Sequence, residues 1–94
     1  MTRVDPDTLK TQLTVKFDAT DRSAHIVARQ ARDLADAGQI EADFDCKLTT
    51  DCIVSNLHDA PGEYSLVERW NWWLGALELS HGGYERFRIR PDAI

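Results

Sequence analysis

Residues 65–83 read SLVERWNWWLGALELSHGG, and all three tryptophans of the chain, Trp70, Trp72 and Trp73, fall within four consecutive positions of that stretch. Ser65 followed by Glu68 is a capping box, in which the hydroxyl accepts from the N–H three residues on and the carboxylate accepts from the cap's own N–H. Gly82 or Gly83 suits the left-handed residue that closes a helix, and His81 sits where the dipole favours positive charge. At about 100° per residue, Leu66, Val67, Trp70, Trp73, Leu74 and Leu77 share one broad face, while Trp72, Ala76 and Leu79 form a second stripe well round the cylinder. The spacing therefore predicts a helix that is apolar on two sides.

The chain has 94 residues, with 16 acidic and 11 basic side chains and a formal net charge of −5. A chain of this length buries only about 60% of the surface that its unfolded form exposes, which predicts a single compact domain over residues 1–94. The apolar runs are far shorter than the roughly 18 residues a spanning helix needs, and Met1 to Lys10 is polar rather than signal-like. The expected location is cytoplasmic. Two cysteines, Cys46 and Cys52, are too few for a secreted disulfide scaffold. Of the acidic residues 11 are Asp, and of the basic ones only 3 are Lys. Short carboxylates are strongly hydrated whereas Lys adds an apolar stem, so the bias points to a halophilic protein. At 1 M salt the Debye length is about 3 Å, and burial rather than exposed ion pairs must hold the fold.

Val4-Asp5-Pro6 through Leu9 predicts a helix start, with Asp5 as N-cap, Pro6 at the first helical position and Val4 stapled to Leu9. The helix should run to about Lys16, although Leu13, Val15 and Phe17 also alternate as a strand would. Thr20 or Asp21 caps the next helix. There Ala24, Val27, Ala28, Ala31, Leu34, Ala35 and Gly38 share one face and His25, Arg29, Arg32 and Asp36 lie opposite. The alanine-rich face forms a shallow groove that suits the tryptophan helix.

After Gly38 the pattern alternates: Ile40, Ala42, Phe44, Cys46 and Leu48 stand against Glu41, Asp43, Asp45 and Lys47, which predicts a short strand. Thr49 then caps a short helix stapled by Leu48 and Ile53, with Ile53, Val54 and Leu57 inward and Pro61-Gly62 ending it. Tyr84 to Arg90 alternates again, Glu85, Phe87 and Ile89 on one side and Tyr84, Arg86, Arg88 and Arg90 on the other, predicting a second strand able to pair with residues 44–48. Two layouts fit. One is mainly α with a small β element, α-α-β-α-α-β, close to a winged helix. The other takes residues 13–17 and 52–57 as strands and gives an α+β ferredoxin-like βαββαβ fold. The staples at Leu9 and Ile53 favour the first.

The block LTTDCIVSNLHDAPGEYSLVERWNWWLGALELSHGGYERF, most distinctively WNWWLGAL followed by HGGY, resembles the C-terminal half of short, uncharacterised proteins of salt-loving archaea. The resemblance spans roughly half the chain and implies a cytoplasmic haloarchaeal protein. It carries over no catalytic residue, ligand or partner.

Two surfaces stand out as candidate sites. The stripe Trp72, Ala76 and Leu79 is the kind of aromatic and aliphatic patch that anchors protein interfaces, unless the helix is central and covered on both faces. The arginines Arg86, Arg88 and Arg90, with Tyr84, form the alternative site, a strand face for anions or nucleic acid. The helix after the turn opposes it, because it carries Glu68, Asn71 and Glu78 against a single Arg69, and edge arginines also serve solubility. Cys46, Cys52, His58 and His81 lack zinc spacing. Cys52, in the first turn of its helix, is placed where the dipole favours a thiolate, although an ordinary thiol needs no such role. Neither a glycine-rich phosphate loop nor a nucleophile elbow is present, so no catalytic residue, metal or cofactor is expected. The expected role is that of a small protein–protein interaction module or homodimer built on the tryptophan-rich helix. The alternative is a winged-helix-like DNA-binding protein. No membrane partner is expected.

Overall fold

Asp5 caps the first helix as the sequence predicts. A computed structural model describes residues 4–44 and 48–90 of the chain, and in it helix α1 runs Pro6–Phe17 with the Asp5 carboxylate accepting from the Asp7 N–H at 3.1 Å. Val4 and Leu9 are both buried in the same apolar cluster, so the staple closes. The helix ends at Asp18, whose φ of 49° is left-handed, a conformation that Asp tolerates better than most residues. Thr20 then caps α2, Asp21–Asp36, accepting from the Ser23 N–H at 3.1 Å. Its Ala24, Val27, Ala28, Ala31 and Leu34 are buried, and its charged face with His25, Arg29 and Arg32 is exposed. The alanine face receives α1 as well as the tryptophan helix, and the α1–α2 hairpin is the most extensive helix pair of the fold.

Helix α4, Thr50–His58, starts on Thr49, whose hydroxyl accepts from the Cys52 N–H at 3.1 Å, and Leu48 and Ile53 are both buried. Helix α5, Leu66–His81, has the full capping box: Ser65 N–H donates to Glu68 Oε1 at 2.8 Å and Glu68 N–H to Ser65 Oγ at 3.3 Å. One continuous apolar cluster draws on all of these helices, and among the described residues no polar or charged side chain is buried in it. Among them, too, no helix is long and apolar enough to cross a membrane.

Among the described residues neither predicted strand forms, which overturns both the winged-helix-like α-α-β-α-α-β layout and the ferredoxin-like alternative. The described residues contain no strand, and residues 13–17 and 52–57 lie within α1 and α4. Where the first strand was expected, Gln39–Phe44 is a short helix, α3; Cys46 and its neighbours 45 and 47 lie outside the described residues. Gly38 makes the difference. At φ 70° it turns the chain out of α2, and its carbonyl accepts from the Ala42 N–H at 3.1 Å to start a new helical turn. In so short a window Ile40 and Phe44 fit a helix face at i, i+4 as well as they fit alternation.

The second expected strand is a single 3-10 turn, Glu85–Phe87, followed by extended chain. Its backbone is held by side chains of α5 instead of by a neighbouring strand. Asn71 donates to the Ile89 carbonyl at 2.7 Å and accepts from the Ile89 N–H at 2.8 Å, doing for one residue what a paired strand does. Trp70 Nε1 donates to the Phe87 carbonyl at 2.8 Å, and the Glu78 carboxylate accepts from the N–H groups of Gly83, Tyr84 and Glu85 at 3.2, 2.9 and 2.9 Å.

Candidate interaction surface

Helix α5 divides its tryptophans between two environments. Trp70 is fully buried and Trp73 nearly so, meeting edge to face with centroids 5.6 Å apart and planes at 76°. Trp72 points the other way and is 39% exposed; Leu79, two turns on, is 92% exposed, and Ala76 between them is exposed as well. The stripe lies opposite the buried face formed by Leu66, Val67, Trp70, Trp73, Leu74 and Leu77. Trp72, Gly75, Ala76 and Leu79 line a shallow groove of about 440 Å³ with Glu78, Glu85 and Arg88 on its rim. The three residues singled out from the sequence are therefore brought together on one face that the other described residues leave exposed.

The arginines do not act as one stripe. Arg86 leans toward α3, donating to Gln39 Oε1 at 3.3 Å with its guanidinium 4.7 Å from the Phe87 ring centre. Arg88 instead joins the rim of the Trp72 groove, while Arg90 is exposed further along the chain. Tyr84 leaves the group altogether. It is fully buried, and its hydroxyl donates to Asp43 Oδ2 at 2.6 Å. Burial pushes its phenol well up, and the Asp43 carboxylate pushes it further through the hydrogen bond and its charge. The 3-10 turn is the cause: it sets Tyr84 on the side of Phe87, three residues on, rather than on the side of Arg86.

Several residues that build this surface were not marked as functional by the sequence. Asn71, Glu78 and Gln39 fasten the C-terminal segment: Gln39 Nε2 donates to the Gly83 carbonyl at 2.9 Å, and a Cβ added at Gly83, whose φ is 86°, would stand 2.6 Å from that nitrogen. Arg69 locks the turn before α5, donating to the carbonyls of Leu57, Ala60, Gly62 and Tyr64 at 3.0 to 3.4 Å with its guanidinium 5.1 Å from the Phe17 ring centre. An Asn inside an otherwise apolar run is the one signal that could have revealed such a role, since Asn disfavours helix interiors. Of the residues weighed for metal, Cys52 is half-buried with Asn56 Nδ2 3.5 Å from its sulfur. His58 is exposed, and His81 lies with its ring 4.5 Å from that of Phe44. Among the described residues no three side chains are grouped to hold a metal ion.

The Glu78 clasp has a measurable consequence. The N–H groups of Tyr84 and Glu85, with a smaller contribution from Gly83, hold its carboxyl below the ordinary glutamate value of 4.5. A depressed carboxylate stabilises the fold above the unfolded value and stops doing so as pH falls through the folded one. Acidification from the ordinary glutamate range down through the lowered value should therefore loosen the segment after α5. Amide NMR shifts of Tyr84 and Glu85 should titrate with a midpoint below 4.5, and Glu78→Gln should remove that step. A midpoint at or above the ordinary value contradicts the clasp.

The described residues form a small all-helical domain organised on a tryptophan-rich helix that carries an exposed apolar stripe. The chain belongs to the WNWW domain family, whose model matches residues 1–78. That match takes in the N-terminal helices as well as Trp70-Asn71-Trp72-Trp73, and it stops at Glu78, before the Gly83, Tyr84 and Glu85 N–H groups that Glu78 clasps. No curated protein and no solved structure matches the chain.

Proposed function

We propose that this protein serves as an interaction module, docking another protein chain on the Trp72, Ala76 and Leu79 face of α5 in the cytoplasm of a salt-rich archaeal cell. The observation that carries the reading is Leu79, a large aliphatic side chain 92% exposed beside a half-covered indole. A monomer gains nothing from such a patch, whereas aromatic and aliphatic anchors are what interfaces bury. The Asp-rich composition supports the setting, because molar salt screens the repulsion between acidic chains and leaves apolar contact as the means of association. Duplex binding has less support: the described part of its expected wing holds no strand, Tyr84 is buried, and Arg86 and Arg88 meet different neighbours.

A photo-reactive benzoylphenylalanine in place of Ala76, introduced into the full chain in its native cell, tests the docking face. A discrete covalent adduct is expected from that position and none from position 29 on the charged face of α2. Leu79→Glu should weaken capture about 30-fold, the equivalent of a ~2 kcal/mol hot-spot loss, while folding stability changes by no more than ~0.5 kcal/mol. No adduct from position 76 would remove the proposal.

A further inference from the structure

Residues 84–90 lie on α5 in the manner of a peptide on its receptor. Phe87 and Ile89 are buried and Arg88 between them is exposed, so alternate side chains enter the domain while the others face out. The main chain of this stretch is gripped by side chains. Trp70 Nε1 donates to the Phe87 carbonyl at 2.8 Å, and Asn71 spends its whole amide on one residue, donating to the Ile89 carbonyl at 2.7 Å and accepting from the Ile89 N–H at 2.8 Å. Those three bonds fix direction and register without regard to side-chain identity, whereas the two buried positions ask for an aromatic and an aliphatic residue two apart. Main-chain bonds for affinity, with sites for alternate side chains, are the means by which extended peptides are recognised.

Two further observations separate the seat from its occupant. The segment leaves α5 through Gly82 and Gly83, at φ 76° and 86°, and its root is fastened by the Glu78 carboxylate, which accepts from the N–H groups of Gly83, Tyr84 and Glu85, upstream of Phe87 and Ile89. The family match takes in Trp70 and Asn71 and ends at Glu78, so the side chains that grip lie within it while Phe87 and Ile89 lie outside. A seat emptied of its segment loses the partners of its indole N–H and of both ends of the Asn71 amide, and it therefore favours being filled.

We infer that the Trp70–Asn71 side of α5 is a peptide seat, filled here in cis by residues 84–90, and that it takes an extended aromatic-x-aliphatic segment of another protein when the cis arm swings out about Gly82 and Gly83. This seat is separate from the Trp72, Ala76 and Leu79 stripe, so either can fail alone. The cis arm competes at an effective concentration on the order of millimolar, and affinity for a peptide in trans falls in proportion to the time the seat is taken.

A labelled, N-acetylated peptide RFRIRPDAI, the sequence of residues 86–94, added to the full chain in molar KCl and followed by fluorescence anisotropy reads the seat. Glu78→Gln loosens the arm at residues the peptide lacks, so that variant should bind the peptide about tenfold more tightly than the wild type does. Methylating the peptide nitrogen at the Ile89 position removes the N–H that Asn71 accepts and should weaken binding about tenfold, as should Phe87→Ala in the peptide; both changes keep its charge. Native-state hydrogen exchange of the unaltered chain gives a second reading: the Phe87 and Ile89 N–H groups should exchange about 100-fold faster than those of Trp73 and Leu74, because the arm opens without the domain unfolding. Exchange of Ile89 as slow as that of Leu74 would make residues 84–90 an inseparable part of the core and overturn the inference. So would equal binding of the parent and N-methylated peptides, equal binding by wild type and Glu78→Gln, or no binding by either chain.

Discussion

Trp70→Ala should cost about 3–5 kcal/mol of folding stability, the most of any substitution in this chain. Trp70 has no exposed surface, packs edge-on against Trp73, and satisfies the Phe87 carbonyl through its indole N–H. Truncation leaves a cavity the size of an indole and orphans a carbonyl at the same point. Domains of this size have only about 5–15 kcal/mol to lose, so Trp70→Phe is the more informative partner variant. It keeps most of the ring and removes the donor, at about 1–3 kcal/mol for the unsatisfied group. Trp72→Ala, one helix face away, should cost less than ~1 kcal/mol, because its indole is 39% exposed. Urea unfolding followed by circular dichroism separates the three. Equal losses for Trp70→Ala and Trp72→Ala would contradict the division of α5 into a buried and an open face.

Arg69→Ala should lose about 2–3 kcal/mol, seen as a fall in Tm on the order of 10–20 °C for a domain of this length. A single guanidinium joins four carbonyls across the turn between α4 and α5, and its flat face lies against Phe17 of α1. Its removal loosens three helices at once. Arg69→Lys should not recover the loss, since one ammonium has neither the planar fork nor the reach to serve carbonyls on both sides. A lysine variant as stable as the wild type would show that the charge alone, and not the fork, matters at this turn.

The parts of the fold that are legible in the sequence are those settled within a few residues. Asp5, Thr49 and Ser65 announce their helices because a cap needs only a short side chain and an N–H two or three positions away. The alanine face of α2 and the two faces of α5 follow from helical spacing alone. Residues 38–48 and 84–90 resist such reading, because what decides them lies far off in the chain. The partners of Phe87 and Ile89 are 17 and 18 positions earlier, and nothing local says that Trp70 and Asn71 will supply them. Alternation there does mark which side chains are apolar, yet the 3-10 turn moves Tyr84 from the arginine side to the core. Of the candidate surface, Trp72, Ala76 and Leu79 were visible as a stripe, whereas Arg88 joins them only because the C-terminal segment is folded back along α5.

That fold-back also governs how this chain behaves when crowded. The N–H groups of Gly83, Tyr84, Glu85, Phe87, Arg88 and Ile89 are all taken, by Glu78, by the 3-10 turn or by Asn71, and the carbonyls of Phe87 and Ile89 are capped as well. An extended segment whose amides are spoken for offers no template on which a stray peptide could lay itself down and begin a fibril. With that segment seated, contact with other molecules at this end of α5 is left to side chains meeting side chains.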